Sequence, residues 1–281
     1  MVGQFDNQAM SSFYLWFDHT LLDKGAAYTN YGSNLYAVNN LYQGYHTYGS
    51  PFRQFVSDKS ITNAQIISGV YKGGVFNLRG SGDLAAINYS QGQAYFSSNV
   101  SSSPLSGNYA VKDFNIFLTN QTEEKLLFET QFTLKNKINV APTGLPPDSV
   151  TYPAIFLKNM GGDNQPFQFG GTQETNMDTR AIVVSDSQFH LDAACSIFRD
   201  RKEEYIHLLS ESEMPFNNLG DFNNNDLYDY NGLISGKSTN NACYLDNVSV
   251  SKIGGASFAG INNLNPNVYS AIIDFELKKV R

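Results

Sequence analysis

The residues able to do chemistry are few and scattered in this chain of 281 residues. The four histidines, His19, His46, His190 and His207, lie far apart. Asp18 and His19, just after the single tryptophan Trp16, set a carboxylate beside an imidazole, the beginning of a proton-transfer pair, but no nucleophile motif accompanies them. His190 and Asp192 are two apart, and on a helix residues at that spacing point away from one another. Cys195 and Cys243 stand in no C-x-x-C and beside no histidine at ligand spacing. They read as two buried small apolar residues in preference to a disulfide.

The short motifs that carry mechanism are missing: there is no G-x-S-x-G, H-E-x-x-H or G-x-x-x-x-G-K-[ST]. Gly80-Ser81-Gly82 with Ala85 matches the loose dinucleotide pattern G-x-G-x-x-A. That pattern holds pyrophosphate on the amides of a helix N-terminus, whereas Ala85 to Tyr89 reads as a strand. Asp221, Asn223 and Asn225, with Asp229 behind them, set hard oxygens two apart, as a calcium loop does. However, Asp226 stands where the EF-hand loop needs Gly, and Gly232 where it needs a bidentate Glu, so a solvated turn is the better reading. Paired glycosidase carboxylates leave no local signature among the 26 acids. The sequence thus nominates no catalytic, cofactor-binding or metal-ligating residue, and a protein that is not an enzyme and needs no cofactor is expected.

Composition points the same way. Lys and Arg number 19 against 26 Asp and Glu, for a net charge of -7, and there is no run of five basic residues. Grip on nucleic acid through phosphate neutralisation is therefore not expected. Charged residues are 16% of the chain, below the usual quarter, while 17 Tyr, 20 Phe and 30 Asn fill the remainder. Neutral polar and tyrosine-rich surfaces suit protein contacts, because such side chains lose little entropy on docking. No window of eighteen apolar residues exists to cross a membrane, and MVGQFDNQAM has no apolar core of a cleaved secretory signal. The sequons at Asn88, Asn99, Asn120 and Asn247 are what an asparagine-rich chain produces by chance.

The elements that would have to position any site are mostly strands. Val70 and Tyr71 lead into Gly73-Gly74, after which Val75, Phe76 and Leu78 resume, a hairpin signature. Ile87 and Tyr89, then Ser90-Gln91-Gly92-Gln93, then Ala94 to Phe96 predict a second hairpin, and Ala110 to Leu118 alternates as one further strand. Residues 66–118 therefore read as an antiparallel meander. TYPAIFLKN, RAIVVSD, YIHLL and CYLDNVSVSKI supply further strands. In the last one, YSAIIDFELKKV, Ala271, Ile273, Phe275 and Leu277 alternate against polar neighbours. Between Ser187 and Glu204 the period changes to three and four, predicting a helix near 187–203 with Phe189, Ile197 and Phe198 on its core face. There alone strand, helix and strand succeed one another closely enough for a crossover. Whether the segment around Trp16 is helix or strand is open.

Three stretches read as long loops: 135–149, 159–179 and 217–241. The expected fold class is mainly β, antiparallel and sandwich-like, with one helix, and α+β in its C-terminal half. Two lobes are expected, 1–120 and 121–281. Ile197→Ala should cost roughly 2 to 5 kcal/mol if that side chain is core. Aromatics of the later segments, Phe167, Phe169, Phe222 and Tyr228, are the candidate interface anchors, since aromatics dominate hot spots.

Four segments together resemble virion structural proteins of contractile-tailed bacteriophages: SSFYLWFDHTLLDKGAAYTN, ISGVYKGGVFNLRGSGDLAAINYSQGQAYF, AIVVSDSQFHLDAACSIFRDRKEE and IIDFELKKV. The resemblance implies a subunit of the neck, collar or tail-completion machinery, made in the host cytoplasm and located in the virion. Its partners would be copies of itself in a ring and other neck or tail proteins, not a membrane. Rings of identical subunits repeat one heterologous contact around an axis. The C-terminal strand, if exposed, could add to a neighbour's sheet. Two other readings remain open: a tail fibre or receptor- or glycan-binding tail protein, and a virion-associated polysaccharide-degrading enzyme.

Overall fold

The structure, a computed structural model, describes residues 5–129, 133–134, 151–167, 171–215, 227–253 and 268–280. It is mainly β, with antiparallel sheets and packed helices. The first sheet contains β1 (Tyr28–Tyr42), β2 (Tyr45–Gly49), β3 (Gly69–Lys72), β4 (Val75–Leu78), β5 (Leu84–Asn88), β6 (Gln93–Phe96) and β7 (Leu105–Lys112). Its order is β4-β3-β7-β1-β2-β6-β5. Both predicted hairpins form, with Lys72 opposite Val75 and Asn88 opposite Gln93. They are not neighbours in a meander, because β1 is the spine. Its first half pairs with β7 from Tyr28 to Leu35 and its second half with β2 from Tyr36 to Tyr42, which drives the hairpins to opposite ends of the sheet. The sheet curls until β5 comes near β3, where the Tyr89 hydroxyl donates to the Ile67 carbonyl at 2.7 Å.

The predicted strand from Ala110 to Leu118 is two strands in two sheets. It breaks at Asp113-Phe114, after which β8 (Asn115–Leu118) pairs in parallel with β11 (Ala154–Gly161). A short parallel pair, β9 (Thr133–Leu134) with β10 (Thr151–Tyr152), lies between them in sequence. The second sheet is completed by β13 (Gln173–Ser185), β14 (Tyr205–His207), β15 (Ala242–Ile253) and β16 (Tyr269–Val280), in the order β14-β15-β16-β13-β11-β8, with β12 (Asn164–Pro166) pairing on β13. Much of the predicted loop 159–179 is thus hairpin, with Asn164 opposite Thr175. The expected crossover around 187–205 is also corrected. β14 is reached from β13 through three antiparallel pairings, so those two strands run in opposite directions. The parallel connection is the one from β8 to β11.

The segment around Trp16 is a helix, α1 (Phe5–Gly25), in which every residue from Ser12 to Leu22 is buried. A helix buried on all sides has no apolar stripe, so periodicity could not announce it. It packs with α2 (Gln188–Arg199) on one face of the second sheet, where the rings of Phe17 and Phe198 stack at 3.9 Å and Phe13 meets Phe275 edge-on at 5.0 Å. The opposite face is covered at Ala154, Phe156, Ile182 and Val184 by Leu126. Of the predicted core face of α2, Phe198 is fully buried and Ile197 half-buried against the core, but Phe189 is 78% exposed. This corrects the expectation for Phe189. The buried face runs through Leu191, Ala194, Cys195 and Phe198, and a residue two positions before Leu191 falls on the far side at 100° per residue.

Sheet membership does not follow a cut near residue 120. α1 and β8 belong to the second core, and residues 28–112 form the first sheet as one continuous insertion. The chain crosses between lobes beside Ala27 and beside Asp113, and there the Asp113 amide donates to the Ala27 carbonyl at 2.8 Å.

Candidate functional site

Asp18 and His19 lie at the junction of the lobes, on the buried stretch of α1. Asp18 is fully buried, with the Lys112 ammonium of β7 at 2.8 Å and the Tyr228 hydroxyl donating to it at 2.7 Å. His19 Nδ1 lies 2.7 Å from Asp58 Oδ2, and its ring stacks on Tyr230 at 4.5 Å. Asp58, also fully buried, accepts at Oδ1 from the Ser60 hydroxyl (2.7 Å), the Ser60 amide (2.9 Å) and the Tyr230 amide (3.1 Å).

A serine, a histidine and an aspartate in contact invite comparison with a nucleophilic triad, and the geometry rejects it. The triad needs the hydroxyl on one ring nitrogen and the carboxylate on the other. Here Ser60 Oγ is 3.4 Å from His19 Nδ1, the nitrogen already bonded to Asp58, and the hydroxyl donates to that carboxylate. Burial alone would raise the Asp58 carboxyl, but the bonds from His19, Ser60 and Tyr230 outweigh it and hold it below its ordinary value. Burial first, and the Asp18 charge second, push the Tyr14 and Tyr228 phenols well up, so they remain donors. The cluster binds elements together. Its other members come from 39 to 210 residues away, and the one signal in the sequence was a charged pair inside an apolar segment.

The other candidates resolve individually. Gly80 and Gly82 take positive φ in the turn between β4 and β5, so strand and not helix follows them. Asp221, Asn223 and Asn225 lie outside the described residues. Asp229 caps the short helix α3 (Tyr230–Ile234) by accepting from the Gly232 amide at 2.9 Å. Among the described residues no group of three His, Cys, Asp or Glu is arranged to hold a metal. Cys195 and Cys243 are both buried and not joined in a disulfide, and burial pushes the Cys195 thiol up to about 11, away from nucleophilic use.

Of the proposed interface aromatics, Phe167 is 53% exposed beside the β12–β13 hairpin. Phe169 and Phe222 lie outside the described residues. Tyr228 is corrected: it is buried, because its hydroxyl serves Asp18 in the interior. The C-terminal strand β16 is corrected as well. It is paired on both sides, with β13 and with β15, and offers no edge. One edge of the second sheet, β8, is met by a side chain. The Gln54 amide accepts from the Ile116 N–H at 2.9 Å and donates to its carbonyl at 2.9 Å, as a neighbouring strand would. The opposite edge, β14, is three residues long. β4 differs, since Val75, Phe76 and Leu78 are exposed on the outermost strand of the first sheet. An uncovered apolar edge of this kind is a template for strand addition.

No protein-family model matches the chain, and no curated protein matches it.

Proposed function

We propose that this chain is a non-enzymatic structural subunit of a tailed-phage virion, forming a ring of copies in the neck or tail connector through protein contacts. The observation that carries the reading is the β4 edge: among the described residues β4 is the outermost strand of its sheet, with Phe76 and Leu78 exposed on one face and Val75 on the other. Two features support it: the resemblance of the four segments, and the use of Asp18 and His19 in internal bonding. In a ring, the β4 edge of one copy would lie against a different surface of the next, the heterologous contact that closes around an axis.

Val75→Lys with Leu78→Lys tests the edge. Lysine on an edge strand opposes pairing while leaving an exposed position folded. The variant should keep the wild-type circular dichroism spectrum and fail to enter particles in a complementation assay. Incorporation at the wild-type level removes β4 as the contact.

A further inference from the structure

The inserted lobe joins the rest of the chain by two adjacent crossings, beside Ala27 and beside Asp113, where the Asp113 N–H donates to the Ala27 carbonyl and the Thr29 hydroxyl to the Asp113 carboxylate. Ala26 at the first crossing has φ 45°, a conformation that L-residues rarely adopt, and Gly25 precedes it. Gln54 binds β8 close to the second crossing, its backbone N–H donating to Asn115 Oδ1 at 3.2 Å. The Asp58 contacts lie at another point of the junction. There Lys59 N–H donates to the Tyr228 carbonyl at 2.7 Å and Tyr228 N–H to the Ser57 carbonyl at 3.2 Å.

We propose that the Asp18–Asp58 cluster is a latch that holds the inserted lobe closed against the rest of the chain and opens in acid before either sheet unfolds. Each lobe has its own apolar core, and the buried apolar residues bridging α1 and the first sheet are few: Leu22, Val56, Ile61 and Ala110. The closure there is instead largely polar. Asp58 gathers bonds from α1 through His19 and from α3 through Tyr230, while Asp18 gathers them from β7 through Lys112 and from Tyr228.

The charged and titratable groups facing the cluster are Asp18, His19 and Tyr14 of α1, Lys112 of β7, and Tyr228 and Tyr230, with Glu204 acting on Tyr230. With a neutral imidazole the two carboxylates face one ammonium and the cluster carries a net negative charge; with an imidazolium it is neutral. Burial opposes ionisation of Asp58 but its hydrogen bonds outweigh that, so its carboxyl is lowered in the closed form. A carboxylate depressed in one state stabilises that state above its ordinary pKa, and the contribution is lost as pH falls through the depressed value. Acid is therefore the direction that opens the latch.

Hydrogen exchange of the full chain, corrected for intrinsic rates and followed from pH 7 downward, tests this. Protection in 54–61 and 227–234 should begin to fall near pH 4, the ordinary carboxylate value, and drop by up to about tenfold per pH unit below it, while β13, β16 and β7 stay protected. Simultaneous loss in all of these segments overturns the latch. Asp58→Asn should strip protection from 54–61 and 227–234 at pH 7, and wild-type protection there contradicts the proposal. Should that variant fail to fold, Ser60→Ala decides: removing one donor from Asp58 should move opening to higher pH, and an unmoved midpoint refutes it.

Discussion

Phe198 and Phe189 occupy one helix and differ only in which side they face, which makes them a controlled pair. Phe198 is fully buried, its ring 3.9 Å from that of Phe17, 5.9 Å from that of Trp16 and 5.9 Å from that of Phe275. Fully burying such a ring removes about 150–250 Å² from water, and at about 25 cal/mol per Å² that is about 4–6 kcal/mol of transfer free energy. Alanine keeps the Cβ but leaves a cavity among three aromatics, so the expected loss is about 3–5 kcal/mol. At about 2.1 cal/mol/K of unfolding entropy per residue, a chain of this size should lose about 5–9 °C in Tm. Phe189, at 78% exposure, should cost less than about 0.5 kcal/mol when replaced by alanine. Urea unfolding followed by tyrosine and tryptophan fluorescence gives both values, with unchanged m-values required for the comparison. Equal losses, or a Phe198→Ala loss below about 1 kcal/mol, would refute the packing of α2 against α1 and the second sheet.

Tyr228→Phe keeps the ring and removes the hydroxyl bond to the Asp18 carboxylate, so it should destabilise the chain by about 1.5–3 kcal/mol in the same assay. An effect near zero would contradict the buried placement of Tyr228. Gly92 has φ 63°, and a Cβ there would stand 2.5 Å from the Phe52 carbonyl oxygen and 2.6 Å from that of Arg53. Gly92→Ala should therefore cost about 2–4 kcal/mol, from left-handed strain plus a backbone clash, and a neutral result would contradict the β5–β6 turn.

What could be read in advance was what is local. The turns at Gly73-Gly74 and Ser90 to Gln93, the alternation of β16 and the three-four spacing of α2 each depend on a few consecutive residues, and each is present. Phe189 departs from its expected core position because two overlapping apolar sets run along α2, and only the packing partner selects between them. α1 was hidden by its total burial. The strand order was hidden by the length of β1, which pairs with different partners along its two halves, a choice no local pattern encodes. The polar cluster was least legible, since Asp18, His19, Asp58, Lys112 and Tyr228 meet only once the insertion has folded back on the helix.

The central proposal is that the chain is a ring-forming subunit of a virion, and absolute quantification by mass spectrometry in tailed-phage particles purified from the source of this sequence tests it most directly. The account predicts a copy number near a small multiple of about six per particle, which would fit closed rings on a tail axis. About three copies, or an odd multiple of three, would favour a fibre or receptor-binding role in its place, and complete absence from particles would contradict the account.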